Sequence, residues 1–349
     1  MRFWTKDRQS DERLRDNGVV LGIGDDAAVV EAPPDAGGAL QWLLAVDTMV
    51  ETVHFNDATM SEADVGWKAL AANISDIAAM GGVPRHALVS VSAPRAWEPA
   101  RIGRLYDGLY ACAEHYGVAI VGGDTTSSPA QMVVAVTVVG TVEAGAAVSR
   151  AGARPGDAVF LTGPVGMSGA GLHWLLAASS ASGEQPVPHR EAQAAGTAAL
   201  VAAHRRPAPS VRAARLLAAR YRVTSLNDVS DGLASEAWEI AEASGGTLAL
   251  QRGMLPVSGS MAAYGRRCGI DPLEWMLYGG EDYVLLGTMD PADAASAKEA
   301  MTAEGLPFYV IGTVEAGGPG VLLQRDPQEA KAGRPVREPL EKRGYNHFK

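Results

Sequence analysis

Strand-like and helix-like segments alternate along the whole chain, which restricts it to an α/β or α+β layer architecture. VVLGIG and LLAVDTMV are apolar and β-branched, as strands are. SEADVGWKALAANISDIAAMGG predicts a helix opened by Ser61, with Asp64 three residues on at the capping-box spacing. Ile102, Leu105, Leu109 and Ala113 recur at helical spacing and predict a second helix from about 100 to 116. VAIVGG and a long strand from Met132 follow. The Gly/Pro-rich, charged stretch SRAGARPGD predicts a domain boundary near residue 150. Beyond it, AVFLTG, EDYVLLGTM and FYVIGTV read as strands. LHWLLAAS, VRAARLLAARY, SEAWEIAEAS and a segment from about Ala292 read as helices, and SSASGEQPVPHREAQ as a mobile loop.

Two glycine-rich turns invite a phosphate-binding reading. GIGDDA matches the G-x-G-x-x-A spacing after a strand, but Asp25 and Asp26 would face a pyrophosphate where only N–H donors belong. AAVVEAPP, which follows, resembles a strand rather than the required helix, so a dinucleotide fold is rejected. GPVGMSGAG is either an N–H cradle for phosphate or a tight strand-to-helix connection. No lysine follows a glycine and no histidine precedes a glutamate, which removes the P-loop and the H-E-x-x-H zinc site.

Of the 349 residues, 40 are Asp or Glu and 30 are Lys or Arg, a formal net charge of −10. A nucleic-acid backbone wants a basic face, so nucleic acid is disfavoured as a partner. The acid excess fits either a solvated surface or a cation site. Cys112 and Cys268 are too few for a disulfide framework or a cysteine-based zinc site. MRFWTKDRQSDERLR lacks the apolar core of a signal peptide, and MVVAVTVVGTV is too short to span a bilayer. The expectation is a cytoplasmic protein with no membrane partner.

Aspartates recur in short polar motifs at the ends of apolar segments. Asp25 and Asp26 follow VVLGIG, Asp47 follows LLAV, Asp124 follows VAIVGG, and Asp228 and Asp231 stand in NDVSDGL. Asp76 lies in a helix beside the apolar stripe of Leu70, Ile74 and Ile77. Any one of them can be a turn or cap residue. Gathered together they would repel unless cations neutralised them, and oxygen-only ligands suit Mg²⁺ or Ca²⁺.

GIGDDAAVV, VDTMVETVHF, KALAANISDIAAMGGVP, VGGDTT, SRAGARPGD, DVSDGL, GGEDY and GYNHF, in that order, resemble the thiamine-monophosphate kinase family. That family belongs to the aminoimidazole ribonucleotide synthetase-like superfamily of ATP-dependent enzymes, and the resemblance runs from about residue 18 to the C-terminus. It implies a two-domain α/β (α+β) fold. Residues 1–150 would bind ATP and metal and dimerise, their sheet pairing across a homodimer into a barrel-like core; residues 151–349 would complete the active site. The implied reaction is ATP-dependent phosphorylation of thiamine monophosphate to thiamine diphosphate, by direct in-line transfer with several Mg²⁺ ions.

Carried over position by position, Asp26, Asp47, Asp76, Asp124, Asp228 and Asp231 resemble the metal-binding carboxylates, with Asp76, Asp124 and Asp228 catalytic. Tyr106, Gly123, Asp124, Arg150 and Ser230 resemble the ATP contacts, and His54, Glu281 and Phe348 the thiamine site. Read without the family, His54, Tyr106 and Phe348 are core groups and Arg150 a linker charge. Two departures stand out: Ala45 and Val46 precede the DT motif where hydroxyl residues are frequent, and Asn346 replaces a frequent aspartate. Another ATP-dependent member of the superfamily, or a non-catalytic Mg-nucleotide-binding protein, is the alternative. The lack of a cysteine before Cys112 and in the terminal YNHFK disfavours the selenophosphate and hydrogenase-maturation branches.

Overall fold

A computed structural model describes residues 18–21, 25–31, 39–181, 196–325 and 336–344. The chain divides into two compact units, Met1–Ser149 and Arg150–Lys349.

In the first unit β1 (Val19–Leu21), β2 (Ala28–Glu31) and β3 (Leu40–Val50) are followed by helix α1 (Glu62–Ala79), then β4 (Val83–Pro94), α2 (Pro99–Tyr116), β5 (Ala119–Ser128) and β6 (Val133–Glu143). The described strands form one sheet in the order β1-β2-β3-β6-β4-β5. Only the β4–β5 pair is parallel, and α2 supplies the crossover that such a pair requires. The predicted capping box forms: Ser61 Oγ accepts the Asp64 N–H at 3.3 Å, and Asp64 Oδ2 accepts the Ser61 N–H at 3.3 Å. Leu70, Ile74 and Ile77 on α1 are fully buried, and the helix covers β3, β4 and β6.

Two strand features differ from the sequence reading. VPRHALVSVSAP forms β4, with Ala87, Val89 and Val91 buried and His86, Leu88 and Ser90 exposed, a period of two. VAIVGG does not end at its glycines, because β5 continues through GGDTTSS in register with β4. Ladder pairing there outweighs the poor strand propensity of Gly-Gly-Asp.

Glu62, the first residue of α1, accepts from Arg101 Nε at 2.6 Å and from Arg104 Nε at 3.1 Å, tying α1 to α2. The hydrogen bond from Arg104 is the main reason its carboxyl titrates at about 2 instead of 4.5. The pKa is lower in the folded chain, so this stabilisation is present above 4.5 and lost as pH falls toward 2. After allowance for solvent screening, Glu62→Gln is expected to lose about 1 kcal/mol at pH 7 in urea melts, with the deficit vanishing in that acid window.

The second unit runs through β7 (Ala158–Leu161), α3 (Met167–Ala181), α4 (Ala198–Arg205), α5 (Val211–Arg220), β8 (Val223–Asp228), α6 (Leu233–Ser244), β9 (Thr247–Gln251), α7 (Gly259–Cys268) and α8 (Pro272–Tyr278). It continues with β10 (Leu285–Met289), α9 (Ala294–Ala303), β11 (Tyr309–Glu315), β12 (Gly320–Gln324) and β13 (Arg337–Pro339). The sheet order is β13-β12-β9-β11-β7-β10-β8, with β12–β9 the one parallel pair among the described strands. Val159, Leu161, Val229, Leu233, Leu286 and Met276 belong to its core. Residues 179–181 of the expected mobile loop end α3, and 182–193 lie outside the described residues. Neither sheet of described strands closes on itself; the expected barrel-like core is one formed across two chains. Among the described residues no helix is long and apolar enough to cross a membrane.

Candidate active site

Asp26 and Asp76 are half-buried, and a carboxylate oxygen of one lies within 4.8 Å of an oxygen of the other. Asp26 stands two residues before β2, its N–H donating to Asp25 Oδ1 at 3.0 Å. Asp76 projects from the last turn of α1. No helix follows GIGDD, only β2, so the geometry bears out the rejection of a dinucleotide turn. Two negative charges this close favour a cation, and an all-oxygen donor set fits Mg²⁺.

Asp47 is joined to the same helix through its backbone. Its N–H donates to Asn73 Oδ1 at 2.9 Å, while Asn73 Nδ2 donates to the Ala69 carbonyl at 3.0 Å. Asn73 is fully buried and sets the register of β3 against α1, a role missing from the sequence reading. Its signal was there: asparagine is poor in a helix interior unless its amide is used.

Asp124 lies on the other side of the sheet. Thr48 pairs with Ala135, Ala135 with Ser90, and Ser90 with Asp124, one row across four strands. A Cβ on neighbouring Gly123 would stand 1.9 Å from the Val89 carbonyl oxygen, so only glycine lets β5 approach there. Tyr106 is half-buried on α2, its ring 6.4 Å from that of Tyr110. His54 Nδ1 accepts the Val50 N–H at 2.9 Å in a turn where Thr52 takes a left-handed φ of 69°. Nδ1 therefore carries no hydrogen, and Nε2 is the donor of a neutral ring.

In the second unit NDVSDG is gripped by one buried carboxylate, Glu236 of α6. It accepts Asn227 Nδ2 at 2.8 Å, the Asp231 N–H at 2.9 Å and Ser230 Oγ at 3.3 Å. Burial, then the neighbouring Glu239 and Asp228 carboxylates, push Glu236 well above the usual carboxylate range. Arg150 Nε donates to Asn227 Oδ1 at 3.1 Å and its Nη1 lies 2.9 Å from Glu239, so it is part of this network rather than a loose linker charge. Asp228 is buried at the end of β8. Sequence reading missed Glu236, although an acid in the first turn of a helix after SDG is a visible mark.

GGEDY runs beside NDVSDG: the Glu281 N–H donates to the Ser230 carbonyl at 2.6 Å and the Tyr283 N–H to that of Val229 at 2.9 Å. A Cβ on Gly280 would come within 2.3 Å of the Ser230 oxygen. The buried Asp282 accepts N–H bonds from Gly166 at 2.5 Å and Ser168 at 3.0 Å. These are amides of GPVGMSGAG, so an internal carboxylate uses the very donors a phosphate would need. From Met167 onward that motif is helical, since α3 begins there. Phe348 lies outside the described residues. The chain leading to it is held down: Trp238 Nε1 donates to the Leu340 carbonyl at 2.9 Å, and the Arg343 guanidinium lies 3.9 Å from the Tyr278 ring centroid.

Residues 24–142 match the N-terminal domain of AIR synthase related proteins, and residues 154–324 their C-terminal domain. A thiamine-monophosphate kinase of Bacillus subtilis (strain 168) is 40% identical over 336 residues, 96% of this chain and 96% of its own. The chain belongs to the thiamine-monophosphate kinase family. The solved structure of AaThiL complexed with AMPPCP and TMP is similar with a TM-score of 0.77 at 32% identity, over 97% of this chain and 95% of that one. The hydrogenase maturation protein HypE of E. coli shares the fold, with a TM-score of 0.65 at 18% identity over 86% of this chain and 87% of its own. The two-domain α/β fold of the family is thus present here.

Proposed function

We propose that the chain transfers the γ-phosphoryl group of ATP directly to thiamine monophosphate, completing thiamine diphosphate biosynthesis in the cytoplasm. The observation that carries this is the near-full-length likeness to AaThiL in complex with AMPPCP, an ATP analogue, and TMP. The acceptor suits a site without a strong base. A phosphate monoester has its second pKa near ~6 and is already largely a dianion at pH 7. The task is to bring two polyanions into line, which positioning and charge neutralisation accomplish.

In this reading Asp26, Asp47, Asp76 and Asp124 of the first unit, with Asp228 and Asp231 of the second, hold Mg²⁺. Bound there, Mg²⁺ would neutralise phosphate charge and orient phosphate oxygens. Asp76, Asp124 and Asp228 act closest to the transferred group. Tyr106, Gly123, Arg150 and Ser230 contact ATP, Arg150 offering a planar cation. His54, Glu281 and Phe348 take the thiamine moiety, whose thiazolium cation suits an aromatic face and a carboxylate. The neutral His54 ring adds no positive charge to repel it. Support for Phe348 comes from Gly344: a Cβ there would lie 3.0 Å from the Asp231 carbonyl, so the tail starts at the NDVSDG loop.

The first unit would pair with a second copy through its open sheet face. Val46, Thr137 and Leu88 form one row across β3, β6 and β4, and Val46 is 57% and Leu88 46% exposed. Apolar rows of this kind mark an interface. Light scattering is expected to give twice the chain mass, and Leu88→Asp to give the single-chain mass.

The deciding assay is incubation with MgATP and thiamine monophosphate, followed by chromatography. Thiamine diphosphate is the expected product. Nucleotide binding without product across a range of Mg²⁺ concentrations would instead establish a non-catalytic Mg-nucleotide-binding protein, the alternative that the Ala45-Val46 departure keeps open.

A further inference from the structure

Glu281 and Tyr283 hold left-handed φ angles of 65° and 53°. Non-glycine residues are strained in this region and stay there only where their surroundings over-determine them. Asp282, between the two, is clamped by the Gly166 and Ser168 amides. Glu281 has a clamp of its own. Its Oε2 lies 3.4 Å from Nδ1 of His204, a fully buried residue on α4, and the same Nδ1 lies 3.1 Å from Ser168 Oγ. Nδ1 thus faces two oxygens at once, the Glu281 carboxylate, which when ionised only accepts, and the Ser168 hydroxyl, which either accepts or donates. The Glu281 side chain is still 25% exposed.

Resting on the reading of Glu281 as a thiamine-site carboxylate, we infer that His204 is a positioning residue that aims Glu281 at the substrate's cationic ring. Its contact with Oε2 limits rotation of the carboxylate, so substrate meets a charge already oriented and the ordering cost at binding falls. His204 acts through Glu281 and touches no substrate. Ser168 serves both clamps, its N–H on Asp282 and its Oγ on His204, and so ties the start of α3 to both acids of GGED.

The test compares His204→Asn with His204→Gln in steady-state kinetics, alongside Glu281→Gln and the double variant H204Q/E281Q. Asparagine keeps a donor near the Nδ1 position; glutamine, closer in size to histidine, puts its donor near Nε2 instead. H204Q is expected to raise KM for thiamine monophosphate about tenfold, the scale of one lost polar contact with a charged group, and to leave KM for ATP within about twofold. H204N is expected to stay near the wild type. The double variant should match E281Q alone, since residues acting through one another are non-additive. Packing alone would rank glutamine at least as well as asparagine. Equal effects of the two His204 variants, a parallel rise in both KM values, or multiplicative effects in the double variant would overturn the positioning role. An unchanged KM in E281Q overturns the Glu281 assignment itself. A raised KM in E281Q beside an unchanged one in H204Q overturns only the role of His204.

Discussion

Asp76→Asn is expected to cut thiamine diphosphate formation by roughly 100- to 1,000-fold, the range for losing one preorganised electrostatic group. The same change should leave the metal-free protein as stable as the wild type, or more so. Asp26 and Asp76 bring carboxylate oxygens within 4.8 Å. At an effective dielectric near 20, two unit charges that close repel by roughly 3 kcal/mol, an upper bound that water and counter-ions reduce. Asparagine keeps the shape and removes the repulsion. Melting curves with and without Mg²⁺ separate the effects: the wild type should gain stability from Mg²⁺ by mass action, and D76N should gain much less. An undiminished Mg²⁺ shift together with normal turnover would remove Asp76 from the metal set.

Asp282→Ala is expected to lower stability by about 3 kcal/mol and to weaken thiamine monophosphate binding. It leaves the Gly166 and Ser168 amides buried without their acceptor, and each such loss costs about 1–3 kcal/mol. The neighbouring Glu281 then loses half the restraint on its left-handed backbone. Asp282 also has a pH signature. Burial pushes its pKa up from 3.8 to about 7, against the pull of the Ser168 and Gly166 hydrogen bonds. The folded value is above the unfolded one, so its contribution is whole below 3.8 and is lost as pH rises through 7. Asparagine does not titrate. The stability advantage of the wild type over Asp282→Asn should therefore narrow from pH 4 to pH 8 in urea melts. A constant difference would mean that Asp282 stays ionised throughout.

Elements fixed by local rules were readable before folding. Ser61 and Asp64 mark the start of α1 because a capping box joins groups only three residues apart. β4 and the second half of β5 were not readable, because strand order and ladder pairing decide them across the sheet. The site divides the same way. Aspartates at the ends of apolar segments or beside an apolar stripe are conspicuous in sequence, and Asp26, Asp47, Asp76 and Asp228 could each be singled out. The residues that orient the motifs were not: Asn73 meets Asp47 across 26 positions, and His204 meets Glu281 from α4, far earlier in the chain. The glycine-rich GPVGMSGAG left two readings open because a backbone N–H pair does not reveal which anion it holds; here the anion is Asp282.

The pinned strap of residues 337–344 bears on how the protein is handled at the bench. Its last described residue, Gly344, sits against the Asp231 carbonyl and Ser235. A purification handle fused downstream of this strap would pull on the segment packed against the NDVSDG loop. Kinetic constants for this chain are best taken from material tagged at the other end, or with the handle cleaved.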